Sequence, residues 1–170
     1  AKSRLRVEHV ADVLRRVREE HDSGGVPTLS TPIPALDEFL GGGIAPGELV
    51  YLAARPGVGK TALALEFARH FAAHGRRVLV VSREMLASAL ARRMLAQSAR
   101  IRATDLKRGT VAAAELAAGI GQLAQMPIWL CDTASTLDHV AAACEQVPDG
   151  VELLIVDYLQ LVQAPSSVGE

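Results

Sequence analysis

Between Ala53 and Leu63 the chain reads AARPGVGKTAL, in which Gly57, Gly59, Lys60 and Thr61 nearly fill the template G-x-x-x-x-G-K-[ST]. That spacing suits one kind of chemistry. Successive backbone N–H groups curl around a phosphate, the lysine reaches the β- and γ-phosphates, and the hydroxyl ligates Mg²⁺. The nucleotide-binding residues expected are Ala54, Arg55, Pro56, Gly57, Val58, Gly59, Lys60 and Thr61, with Lys60 also serving catalysis. The template opens with glycine where this chain has Ala54. That position ends a strand, and a methyl group fits there if φ is negative. The ligand expected is a nucleoside triphosphate with Mg²⁺.

A magnesium site at such a loop needs a carboxylate facing it. LLIVD, residues 153 to 157, ends an apolar run in Asp157. Open α/β sheets gather ligands at the carboxyl ends of their strands, and a lone carboxylate there is costly without a cation or hydrogen-bond partner. Thr61 and Asp157 are therefore the expected metal ligands. Hydrolysis also needs a group to orient the attacking water. Glu84, in SREM directly after VLVVS, emerges from a strand end and suits that task. The same position also suits an acid placed at a helix start, where the dipole favours negative charge.

These residues are useful only if strands and helices hold them at one edge. LVYLAA (49 to 54), RRVLVVS (76 to 82), PIWLC (127 to 131) and VELLIVDYLQLV (151 to 162) read as four apolar strands. Helical stretches separate them: one after the Gly-Lys-Thr loop, then MLASALARRMLAQSA, AAAELAAGIGQLAQ, and a helix opened by Ser135 and Asp138. Apolar strands alternating with helices predict an α/β fold, with a mostly parallel sheet covered by helices on both faces. Ahead of this lies a helix with Val7, Val10, Val13, Leu14 and Val17 on one stripe, then the breaker HDSGGVPTLSTPIP. The division expected is a linker helix and connection over 1–24 and a core over 25–170.

Composition sets broad limits. Of 170 residues, 49% are hydrophobic and 22% charged, which excludes a mainly disordered chain. No apolar run approaches the roughly 20 residues that cross a bilayer, and the charged N-terminal stretch is unlike a signal peptide, so the expectation is a cytoplasmic chain with no membrane partner. Cys131 and Cys144 are too far apart for a CxxC motif and read as reduced, buried residues. The net charge of −1 conceals a basic stretch from Arg92 to Arg108, suited to phosphates or to the acids of a partner, or simply to solvent. Glu66, His70 and His74 share a helix face without a convincing third ligand, and Trp129 reads as core.

The motifs AARPGVGKTALAL, VLVVSREM and IVDYLQL together resemble the RecA-like motor domain of DnaB-type replicative DNA helicases, over about Gly25 to Val162. In that family alanine is common where Ala54 stands. A glutamate at the position of Glu84 acts as catalytic base. The resemblance implies ATP hydrolysis with Mg²⁺, a homo-hexameric ring threaded by single-stranded DNA, contacts with primase and a helicase loader, and a linker helix docking on the adjacent subunit. Arg83 departs from the apolar residue usual before that glutamate. The family's DNA-gripping loops and arginine finger fall outside these 170 residues, so the expectation is a chain that binds nucleotide and hydrolyses it poorly. Two other readings stay open: a recombination or clock-type RecA-like ATPase, and a nucleotide-binding module without motor activity.

Overall fold

A computed structural model describes residues 7–157, which fall into two compact units, one ending at Leu49 and the other beginning at Val50. In the first unit, helix α1 spans Val10–Asp22 and starts where His9 Nδ1 accepts the Ala11 N–H at 3.2 Å. Val10, Leu14 and Val17 of the predicted stripe stand exposed. The short helix α2, Pro34–Phe39, begins with proline, whose fixed φ suits a first turn. Its Asp37 accepts the backbone N–H of buried Thr31 at 2.8 Å. Leu29 and Ile44 close this unit with an antiparallel bridge.

The second unit contains α3 (Lys60–Ala73), β1 (Val78–Ser82), α4 (Ala87–Ala99), α5 (Ala103–Arg108), α6 (Ala113–Ala124), β2 (Ile128–Cys131), α7 (Leu137–Glu145) and β3 (Leu153–Asp157). The three strands are parallel in the order β2-β1-β3, with Val78 opposite both Ile128 and Leu153 and Ser82 opposite Asp157. Every residue of β1 is buried, as expected for a central strand covered on both faces. Leu79 and Val81 point into a cluster with Val140 and Val147 from the α7 side. Alternation sends Val80 and Ser82 to the opposite face. There α3 packs on β1 and β3 through Leu65, Ala68, Phe71 and Ala72, and α4 adds Leu90, Met94 and Leu95. Burial of a side chain such as Phe71 contributes about 1.5–3 kcal/mol. The α/β class and the parallel sheet are as the sequence predicts.

Two local expectations are corrected, and a third is only partly described. Residues 49 to 54 form no strand: Leu49, Val50, Tyr51 and Leu52 are exposed and join no ladder among the described residues. Apolarity marks a segment fit for a strand, but a ladder also needs a distant partner that no local pattern specifies. Helix α7 is capped by Thr136, whose hydroxyl accepts the His139 N–H at 3.2 Å, and not by Ser135, whose hydroxyl lies 3.1 Å from His139 Nδ1. The fourth predicted strand is described only as far as Asp157, and Tyr158 lies outside the described residues. The two cysteines are free and half-buried, with burial raising the Cys144 thiol pKa.

Gly119, which weakens the helical pattern on paper, has a packing role in α6. A Cβ there would lie 2.9 Å from Leu95 Cδ1 and 3.0 Å from Ala99 Cβ, so its missing side chain lets α6 approach α4. Gly119→Val is expected to lower stability by about 1–3 kcal/mol through overpacking. Thermal unfolding measures this, and an unchanged melting temperature contradicts the close approach.

At the opposite end of the sheet, Glu152 ties β3 to β1. Its carboxylate accepts the Arg77 N–H at 3.1 Å and Arg76 Nη1 at 3.0 Å. The backbone N–H of Arg77, then the Arg76 guanidinium, hold the Glu152 carboxyl below the usual glutamate value. A depressed folded-state pKa adds stability that is present above the unfolded value of about 4.3 and fades as pH falls through the folded one. Glu152→Gln is therefore expected to melt lower than the parent at neutral pH, with the gap closing on acidification. Parallel melting curves from neutral to acid pH would refute this.

Candidate nucleotide-binding site

The loop from Arg55 to Gly59 turns into α3 without a side-chain cap. Gly59 is the N-cap residue, in the left-handed region at φ 108°, and Gly57 also has positive φ, 79°. Glycine adopts both at no steric cost, whereas most other residues do not. The first four N–H groups of a helix have no intrahelical partner. Here no side chain caps them, and the first turn of α3 carries no acid. A helix N-terminus left in this state attracts anions. The loop residues Ala54 to Gly59 are exposed and Lys60 is half-buried, so a ligand can reach the loop.

Lys60 and Thr61 occupy the first two positions of α3, and both meet Asp157. Thr61 Oγ1 donates to Asp157 Oδ2 at 2.7 Å, and Lys60 Nζ lies 3.8 Å from Oδ1. Asp157 is 5% exposed, so two partners offset the cost of burying its charge. Ninety-six positions separate Thr61 from Asp157, and the α3–β3 packing brings them together. With its proton directed at Asp157, the hydroxyl oxygen of Thr61 keeps lone pairs available. Beside the carboxylate it forms a pair of hard oxygen donors of the kind Mg²⁺ prefers.

Glu84 lies two residues beyond β1, exposed, at the carboxyl rim where β3 also ends. Parallel pairing places Ser82 opposite Asp157, and the Arg83 N–H extends the ladder by donating to Asp157 O at 2.9 Å. The Nε of Arg83 is buried without a hydrogen-bond partner among the described residues. Ser82 Oγ accepts the Met85 N–H at 3.0 Å and so shapes the turn that carries Glu84.

Two supporting residues escaped the sequence reading. Gln97 Nε2 donates to Ala62 O at 2.9 Å, fastening α4 to the first turn of α3. Its signal was a polar residue seven positions after Leu90, on the apolar stripe of α4. Asp132, just after β2, accepts the Ala87 N–H at 2.7 Å and satisfies a donor at the α4 start. Its position at a strand's carboxyl end was the available signal. Glu66, His70 and His74 build no metal site: Glu66 pairs with Arg69 at 2.7 Å, and no three metal-ligating side chains cluster among the described residues. A cavity of about 560 Å³ lined by Trp129, Cys131, Asp132 and His139 includes none of the candidate residues.

Parallel strands with helices packed on both faces, and a glycine loop without a side-chain cap leading into α3, define an α/β fold that offers a loop to phosphates. The sequence model described as DnaB-like helicase C terminal domain matches residues 28–170, and the chain belongs to that family. It is 33% identical over 156 residues to the replicative DNA helicase DnaB of Leifsonia xyli subsp. xyli, covering 88% of this chain and 34% of that one. It is also 33% identical over 146 residues to DnaB of Geobacillus stearothermophilus, covering 82% and 31%. The chain thus spans about a third of the length of these relatives. Among solved structures, one described as an ATPase domain superposes with a TM-score of 0.80 at 24% identity, covering 97% of this chain and 62% of that one. A DnaB-like replicative helicase, described with its interactions with primase, superposes at 0.78 and 24% identity, covering 95% and 42%. At that identity the superpositions speak for the fold.

Proposed function

We propose that this chain is the ATP-binding and hydrolysing core of a replicative DNA helicase, working with Mg²⁺ in a homo-hexameric ring on single-stranded DNA. The observation that carries this reading is the meeting of Lys60 and Thr61, at an uncapped helix start, with the buried carboxylate of Asp157. In this reading the amides from Ala54 to Thr61 and the Lys60 ammonium hold the triphosphate. Thr61 and Asp157 hold Mg²⁺, which when bound neutralises charge on the phosphate oxygens. Glu84, exposed at the same rim as Asp157, takes a proton from the attacking water. The exposed α1 stripe of Val10, Leu14 and Val17 suits docking on an adjacent subunit. Family membership supports the helicase assignment, and contacts with primase and a loader and residence in the cytoplasm complete the proposal.

Lys60→Ala is expected to weaken ATP binding at least tenfold in a fluorescence titration, and undiminished affinity refutes the phosphate-loop assignment. Glu84→Gln in the full-length protein should bind ATP as the parent does, while turnover falls by about 10²–10⁴, the range of a lost general base. Equal turnover removes Glu84 from the mechanism.

A further inference from the structure

We propose that the corner formed by the end of α4 and by α5 is a second polyanion-binding surface, one that takes the phosphate backbone of DNA. It uses none of the residues of the nucleotide site.

The charge of this chain is segregated. Six of its 18 basic side chains, Arg92, Arg93, Arg100, Arg102, Lys107 and Arg108, fall in one stretch with Asp105 as its lone acid, although the chain holds 19 acids. All six are exposed. Arg102 Nε takes Asp105 at 3.1 Å, and Arg92 Nε turns to Ser88 O at 3.2 Å. Arg93, Arg100, Lys107 and Arg108 have no carboxylate partner among the described residues. An ordinary solvated helix face looks different, and α1 supplies the contrast. There Arg15 meets Asp12, Arg16 meets Glu8 and Arg18 meets Asp22.

The fold gathers the unpaired cations. Arg93 and Arg100 are seven positions apart on α4 and its C-cap, about 10 Å apart along the axis. At about 3.4 Å per phosphate along one strand, that span matches roughly three phosphates. Arg100 adopts φ 56° and reverses the chain, so that α5 packs back on α4 and carries Lys107 and Arg108 in its last turn. Guanidinium forks suit phosphate oxygens geometrically. Residues 85 to 114 contain no aromatic side chain on which a base would stack. The surface therefore recognises the backbone, with no preference for sequence.

Fluorescein-labelled oligo-dT and a labelled duplex are titrated with the 170-residue chain over a salt series. Engagement of four phosphates predicts a log–log slope of about −3 for the single strand. The Arg93→Gln/Arg100→Gln/Lys107→Gln/Arg108→Gln variant should bind at least tenfold more weakly, with a slope near zero and an unchanged melting temperature. Lys107→Gln and Arg108→Gln singly should each reduce the slope by about 0.7. Lys60→Ala should bind DNA as the parent does, which separates this surface from the nucleotide site. The proposal is overturned by salt-independent binding of the parent, by an unaltered slope in the single and quadruple variants, or by loss of DNA binding in Lys60→Ala. Tighter binding of poly-glutamate than of oligo-dT would also overturn it, because the surface would then belong to an acidic protein.

Discussion

Two hydrogen-bonded acts of Asp157 hold the candidate site together. Its backbone carbonyl accepts the Arg83 N–H at 2.9 Å, continuing the parallel ladder of β3 with β1, and its side chain accepts the Thr61 hydroxyl at 2.7 Å. One residue therefore joins the sheet to the first turn of α3. Register makes this possible. With Ser82 opposite Asp157, both side chains point to the α3 face, and a slip of one residue would turn the carboxylate toward α7. The β1–β3 pairing thus determines which acid meets the loop.

The two acids at this rim differ in environment, and the difference suits different tasks. Asp157 is buried, with a cation and a hydroxyl against it, so its carboxyl group is held in a fixed geometry. Glu84 is exposed in a turn shaped by Ser82 and Met85. A fixed, partnered carboxylate suits a metal, and an exposed one can meet water. Around them, Gln97 and Asp132 set the position of α4 through bonds to backbone atoms. The loop has no side-chain cap at the α3 start among the described residues, and its residues from Ala54 to Gly59 are exposed.

Charge and apolar surface are both unevenly spread over this chain. The arginines of α1 are matched by carboxylates, whereas at the α4–α5 corner Arg102 alone has one among the described residues. Apolar side chains stand exposed on α1 and from Leu49 to Leu52. Exposed apolar runs of this kind mark surfaces that gain free energy when another surface covers them.

Much of the site was legible in the sequence because its signals are local. The spacing of Gly57, Gly59, Lys60 and Thr61 implied a loop-to-helix junction, and Asp157 and Glu84 were found as acids following apolar runs. Periodicity and apolar runs likewise identified α3, α4 and α6, the strands β1 and β2, and the start of β3 to within a few residues, since burial imposes its pattern on consecutive positions. What only the tertiary structure decided was pairing. The contact of Thr61 with Asp157, the role of Gly119 between α4 and α6, the place of Gln97 and the absence of a ladder at 49 to 54 among the described residues all depend on residues far apart in the chain. An apolar run carries the same composition whether or not a neighbour meets its edge, so the choice of neighbour emerges only when the chain packs.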